Sequence, residues 1–286
     1  MSSLSKGVIL FDGAMGTQLQ AHGLPVGEAP ERWNQTAPEI IESIHRDYLH
    51  AGAQVATTNT FGGSPHKLRT ISLDRESRHI NRIAAELARR AVSDHALVAG
   101  SIGPTGAMLL MDEISERDML EGFAIQAQGL MDGQVDLFIL ETMSDLEEAC
   151  IAVRAVKQVS DLPVILSFSF QPGNRGYRTM MGIDIPTAVE RAASEGVAAV
   201  GLNCGTGMTD AIKIIREMRS LTNLPLIAQP NAGLPKLREG RTLYDESPED
   251  MAKQVHDLIQ AGANLIGGCC GTTPQHTRQI AEAIHR

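Results

Sequence analysis

Residues 198–207 read Ala-Ala-Val-Gly-Leu-Asn-Cys-Gly-Thr-Gly, a short apolar run that breaks into a polar, glycine-rich turn at Asn203. The run is too short for a buried helix, and apolar residues return at helical spacing over 210–220, so it reads as a strand feeding a helix. The same unit recurs seven more times. Apolar runs at 8–11, 54–61, 96–102, 137–141, 163–170, 225–230 and 265–268 are rich in Val, Ile, Leu and Phe without clean alternation. That is the pattern of parallel strands covered on both faces.

Amphipathic stretches fill the intervals. One opens at Ala37-Pro38-Glu39 and stops at Gly52; the others lie at 75–92, 116–131, 145–159, 186–195, 210–220, 248–260 and 274–285. Proline at a first helical position and glycine just past the end are the punctuation such helices use. Eight strand–helix units in series, with no long linker, predict an α/β fold: a single-domain (β/α)8 TIM barrel over residues 1–286. An open, doubly wound sheet shares the alternation but gathers its polar residues at one switch point. Here polar clusters follow nearly every strand (DGAMG, TNTFGG, GPTG, ETMSD, NCGTG, PNAG and CCGTT), as around the whole mouth of a barrel.

Composition narrows the function. The 286 residues are 43% hydrophobic, enough for a full core, and carry 25 basic against 34 acidic side chains, a net charge of −9. Nucleic acids and anionic membranes need a basic face, so neither is an expected partner. No stretch reaches the ~18–20 apolar residues of a membrane span. The N-terminal MSSLSKGVILFDG reads as a first strand rather than a signal peptide, which makes the cytoplasm the expected location. Thiols stay reduced there, so four cysteines ask for a metal or catalytic explanation rather than disulfides.

Three of the four end strands: Cys204 in GLNCGTG, and Cys269-Cys270 in GGCCGTT. On a barrel they share one rim with a single strand between, which places Cys204 roughly 10 Å from the pair along the rim at ~4.8 Å per strand. Inward-leaning side chains close that gap onto one ion. A vicinal cysteine pair alone is more often packing, but Gly267, Gly268 and Gly271 open the backbone as a metal held near the main chain requires. Three thiolates and one open position make a catalytic-type zinc site. Zinc deprotonates a bound thiol, and an all-sulfur ligand set leaves that thiolate nucleophilic, so the expected chemistry is alkyl transfer to a thiol. Cys150, inside EEACIAVRA, reads as packing.

The strings FDGAMGTQLQ, TNTFGG, GLNCG, QPNAGLP and GGCCGTTPQH resemble the homocysteine S-methyltransferase family over essentially the whole chain, especially the homocysteine-binding module of cobalamin-dependent methionine synthase. The resemblance implies that Cys204, Cys269 and Cys270 hold zinc and that homocysteine's thiolate becomes a fourth ligand. It implies that Asp12, Gly13 and Glu141 hold the amino-acid end, the carboxylates meeting the ammonium and backbone N–H groups near Gly13 and Thr58 meeting the carboxylate. Capping of nearby loops is the alternative reading for Asp12 and Glu141. Asn203 and Asn231 end the sixth and seventh strands, and the Asn231 amide reads either as a fourth ligand until substrate arrives or as a partner for loop backbone. His276 in TTPQH is expected to face outward, with Thr273-Pro274 as N-cap and first turn.

The donor divides the family. Betaine-using relatives carry aromatic cage residues where this chain has Gly62 and Thr142; Trp33 and Tyr48 are the nearest replacements. Methionine-synthase-like strings (PERWN, PNAGLP, CCGTTPQH) favour a methyl-corrinoid such as methylcobalamin. A chain ending at Arg286 without folate or cobalamin modules is then expected to act with a separate corrinoid protein docked over the mouth. A small sulfonium such as S-methylmethionine is the alternative donor, and a non-catalytic zinc-holding barrel the alternative role.

Overall fold

The computed structural model describes residues 7–25, 27–111, 113–238 and 241–285. The segment before Gly7, on which the absence of a signal peptide was read, lies outside the described residues.

Eight parallel strands form the core sheet: β1 (Ile9–Leu10), β2 (Val55–Thr57), β3 (Leu97–Ile102), β4 (Leu137–Met143), β5 (Val164–Phe168), β6 (Ala199–Asn203), β7 (Leu226–Gln229) and β8 (Leu265–Ile266). Their order is β1-β8-β7-β6-β5-β4-β3-β2. A parallel bridge between Phe11 and Val55 joins the two ends, with Gln54 N donating to Leu10 O at 2.7 Å and Asp12 N to Val55 O at 3.0 Å. The sheet is therefore a closed barrel, as the eight-unit count requires.

Period-two alternation, hidden in the sequence by burial on both faces, is clear in the lumen. Ile9, Phe11, Val55, Ala99, Leu137, Ile139, Ile165, Ala199, Ile227 and Leu265 fill the barrel interior. The outward positions, Leu10, Ile102, Phe138, Leu140, Leu166, Val200 and Leu202, pack in a second cluster that extends to the helices. One step above the apolar plug, the inward positions turn polar: Thr57, Ser101, Glu141, Ser167, Asn203 and Gln229. Strands β6 and β7 approach so closely that a Cβ on Gly201 would lie 1.9 Å from Ile227 O, so only glycine serves there.

Helices start where their caps dictate. Ser115, Asp145, Asp184 and Ser247 accept from the third N–H of the helices Glu116–Asp132, Leu146–Val159, Ile185–Ser194 and Pro248–Lys253. The expected helix 248–260 is interrupted at Gln254, and two antiparallel hairpins, Gln171–Gly173 with Gly176–Arg178 and Lys236–Arg238 with Arg241–Leu243, stand above the mouth where the sequence showed only loop. Both are short and polar, so neither carries a hydrophobic period.

His45 is fully buried on the helix Pro38–His50, and neither ring nitrogen has a partner among the described residues. Burial holds its pKa down at about 4. The unfolded chain therefore binds the proton first, and this residue costs stability as pH falls from about 6.5 towards 4. His45→Leu is expected to raise the melting temperature by about 2 °C at neutral pH. Thermal scans should show a larger gain at pH 5 than at pH 7.5.

Candidate metal and substrate site

The cysteine sulfurs converge more tightly than strand spacing alone suggests. The Sγ atoms of Cys204, Cys269 and Cys270 all lie within 4.8 Å of one another, and Cys204 and Cys270 are 3.9 Å apart. Sulfurs about 3.8 Å apart are what ~2.3 Å metal–sulfur bonds in a tetrahedron require. The loops hold them there. Cys204 takes a left-handed φ of 57°. Cys204 N donates to Gln229 O, Cys269 N to Pro230 O and Asn231 N to Thr206 O, and Ala232 N donates to Cys270 O. The segment after β7 is thus stitched between the two cysteine loops.

Electrostatics point to a missing positive charge. Hydrogen bonds from Cys269 and Cys270 pull the Cys204 thiol well below its ordinary value, while Cys269 and Cys270 are pushed up. A soft dication among the three sulfurs would let all of them ionise. The Asn231 side chain helps hold the Cys204 thiol low, and its Oδ1 is buried without a partner among the described residues. The residues present fit a tetrahedral thiophilic ion.

The three cysteines open on a cavity of about 620 Å³, which Asp12 and Glu141 also line. Asp12 Oδ2 accepts from Thr57 N and Oδ1 from Thr57 Oγ1, both at 2.7 Å. Glu141 Oε1 accepts from Ser101 Oγ at 2.5 Å and Oε2 from Asn203 Nδ2 at 3.4 Å. Neither carboxylate meets a cation among the described residues, and burial raises both pKa values to about 7. Their own bonds satisfy the loop-capping reading, yet they leave two uncompensated acids on the wall of a cavity. That pair is built to receive a cation.

Asn203 is fully buried and ties the two halves together. Its Oδ1 accepts from Thr142 N and Ser167 Oγ at 2.7 Å; its Nδ2 donates to Thr142 Oγ1 at 2.7 Å and faces Cys269 Sγ at 3.9 Å. It also pins a strained turn, for Thr142 sits at φ 60° where β4 loses register. Asn203 therefore organises the wall that Glu141 belongs to.

Other sequence expectations shift. Gly13 and Thr58 both line the cavity, as does Asn59; the Thr58 N–H donates to Ala99 O within the sheet. His276 does not face outward. It is buried, its Nδ1 meeting Thr273 in a capping box and its Nε2 meeting Glu246 O at 3.1 Å, because the third helical position folds back over the N-cap and the 244–247 segment covers it. It takes no part in the sulfur cluster. Trp33 and Tyr48 do not line the cavity; Tyr48 OH donates instead to Ala14 O and Thr272 O. The aromatic side chains on the cavity wall are Phe61 and Tyr244, which sequence reasoning passed over. Tyr244 packs over Gly271 beside the cysteines, where a Cβ would lie 2.3 Å from the ring. Its position after the second hairpin left no sequence signal. Cys150 is buried in its helix, as expected of packing.

Comparison with known proteins agrees with this geometry. A family model described as homocysteine S-methyltransferase matches residues 9–284. The methionine synthase of Mycobacterium leprae (strain TN) is 32% identical over 304 residues, taking in 100% of this chain and 25% of its own length. That of Mycobacterium tuberculosis (strain ATCC 25618 / H37Rv) is 31% identical over 299 residues, with 98% and 25% covered. The chain thus spans about a quarter of the length of these curated relatives. Among solved structures, the metallated form of the homocysteine methyltransferase MmuM from Escherichia coli superimposes with a TM-score of 0.81 at 26% identity, covering 97% of this chain and 96% of that one.

Proposed function

The chain is a methyltransferase of the homocysteine S-methyltransferase family, and on that premise we propose that it methylates homocysteine to methionine at a zinc ion held by Cys204, Cys269 and Cys270. One observation carries the reading: three convergent sulfurs and two uncompensated carboxylates share the wall of one cavity. A soft nucleophile centre at one end and a cation site at the other match an amino acid that bears a thiol.

Zinc, when bound, keeps the substrate thiol deprotonated at neutral pH. The chain supplies the rest. Asp12 and Glu141 bind the ammonium, oriented by Thr57, Ser101 and Asn203. The Gly13 and Asn59 N–H groups, both on the cavity wall, are backbone donors for the substrate carboxylate. Asn231, whose Oδ1 has no partner among the described residues, would be a further ligand to the ion in the absence of substrate. The surrounding wall limits water around the sulfur, which strengthens its attack on the methyl carbon. As the S–CH3 bond forms, the donor's bond to that carbon breaks. Three reduced cysteines on a metal suit a reducing compartment such as the cytoplasm, and no helix among the described residues is long and apolar enough to cross a membrane.

A methyl-corrinoid on a separate protein is the donor this reading favours. Met111, Met180, Leu234 and Leu237, in loops that follow the strands around the mouth, are exposed, as docking of a large partner requires. Similarity to methionine synthases over a quarter of their length points the same way. A small sulfonium donor is the second reading, supported by the near end-to-end match to the MmuM structure.

The test is one assay of zinc-loaded protein with homocysteine and a donor panel: methylcobalamin or a methylated corrinoid protein, S-methylmethionine, and betaine. Methionine is expected from the corrinoid arm and not from betaine. Methionine from S-methylmethionine alone selects the second reading. Absence of methionine in every arm would overturn homocysteine as acceptor.

A further inference from the structure

Gln229 is the last residue of β7, two positions beyond the lumen residue Ile227, and pairs directly with Asn203 on β6. Strand alternation therefore turns its amide into the polar layer that holds Glu141 and Asn203. It is 5% exposed and lines the substrate cavity. Its Cγ lies 3.1 Å from where a Cβ on Gly267 would stand, against Phe11 and the Asp12 main chain. The amide oxygen Oε1 has no hydrogen-bond partner among the described residues.

A buried amide left open destabilises the chain that carries it. Other described side chains share the defect, among them Asn81, Gln126 and Thr206, but of all these residues only Gln229 lines the cavity. Gln229 thus shares the cavity wall with the two acidic groups that await a cation. An α-ammonium presents three N–H donors. Asp12 and Glu141 are two charged acceptors, each of whose oxygens already takes one bond from the wall. Two carboxylates engage two of those donors most directly, and the Gln229 amide is the remaining uncommitted acceptor on the same wall.

We propose that Gln229 Oε1 accepts the third ammonium N–H of the thiol substrate, so that the pocket reads an α-amino acid by three acceptors rather than two. Gln229 is then a specificity residue. It separates amino-acid thiols from thiols of the same length that lack the amino group, because an ammonium-free ligand leaves the amide as open as it is in the empty pocket. This rests on homocysteine being the acceptor.

The test compares homocysteine with 4-mercaptobutanoate, which keeps the thiol and the carboxylate but has no amino group, by calorimetric titration of zinc-loaded protein. Gln229→Met is close in shape and removes an unsatisfied polar atom, so its melting temperature should equal or exceed that of the natural chain, with metal content unchanged. Its homocysteine affinity should fall about 10- to 100-fold, the loss expected for one hydrogen bond to a charged group. Its affinity for 4-mercaptobutanoate should not move. Gln229→Glu keeps an acceptor oxygen and should bind homocysteine within a few-fold of the natural chain. Unchanged homocysteine affinity in Gln229→Met, or equal weakening for both thiols, overturns the proposal and leaves the homocysteine reading standing. A natural chain that binds no homocysteine overturns both.

Discussion

Replacing Cys270 by alanine is expected to remove the metal and the methyl transfer together. Its sulfur sits 3.9 Å from Cys204, and the two loops that carry them are joined through the segment after β7, so the pair cannot spread to recruit a substitute ligand. Among the described residues no other His, Cys, Asp or Glu completes a group with these sulfurs. Structural zinc sites are worth ~10–16 kcal/mol, so losing one thiolate of three weakens binding by several kcal/mol, a factor of about 10³ or more. Catalysis suffers beyond occupancy. A free thiol with a pKa of ~8.5 is only a few per cent thiolate at pH 7, and without the metal nothing fixes its sulfur before the donor. Methionine formation should fall at least about 10³-fold, with zinc per chain falling from one towards zero by atomic emission. Cys150→Ala is the matched control, since that thiol is buried in a helix far in sequence from the cluster; it should keep both metal and activity. Full activity in Cys270→Ala would remove the metal assignment.

The contrast between those cysteines shows how much of the site was legible in the sequence. Strand ends can be read from composition, and a strand end on a barrel is a place on the mouth, so Cys204, Cys269, Cys270, Asp12 and Glu141 could be put on one rim before any coordinates. Their distances could not. Strand spacing separates Cys204 from the pair by roughly 10 Å, whereas the sulfurs lie within 4.8 Å. The difference comes from the left-handed turn at Cys204 and from main-chain bonds between loops, neither of which leaves a mark on residue type. Which N–H near Thr58 is free was hidden for a related reason: a backbone group's availability depends on the neighbouring strand's register, and Thr58 N itself donates to Ala99 O. His276 turned inward because a capping box and the main chain at Glu246 offered its ring two partners. Gln229 was hidden inside the run 225–230. A single polar residue in an apolar strand is unremarkable until alternation shows which way it points.

Glu141→Gln is expected to weaken homocysteine binding by about 100-fold while leaving the metal in place. Gln keeps the shape and can still accept from Ser101 Oγ, so the wall should survive; what disappears is a negative charge opposite the substrate ammonium. Removing one partner of a buried charge pair costs ~2–5 kcal/mol, and the lower half of that range applies because Asp12 remains. The pH dependence carries a second signature. Burial, the largest cause, raises Glu141 and Asp12 to about 7 in the free chain; metal in the cysteine cluster relieves the repulsion from Cys204 but not the burial. The ammonium binds the ionised acids, so it must displace protons below that pH. Homocysteine KM should therefore rise as pH falls through 7, steepening towards three protons per substrate in the natural chain, one from the substrate thiol and one from each acid. In Glu141→Gln only Asp12 and the substrate thiol still lose protons on binding, and the limiting slope should drop to two. The same shifts act oppositely on the empty fold. Both acids hold protons more tightly folded than unfolded, so they add stability as pH falls from about 7 towards 4. Substrate protection against heat should thus be greatest above pH 7, where the free chain bears two unneutralised charges and the ligand supplies their counter-ion. A KM in Glu141→Gln that matches the natural chain at every pH would take Glu141 out of the ammonium site and return it to the loop-capping role its bonds to Ser101 and Asn203 can fill alone.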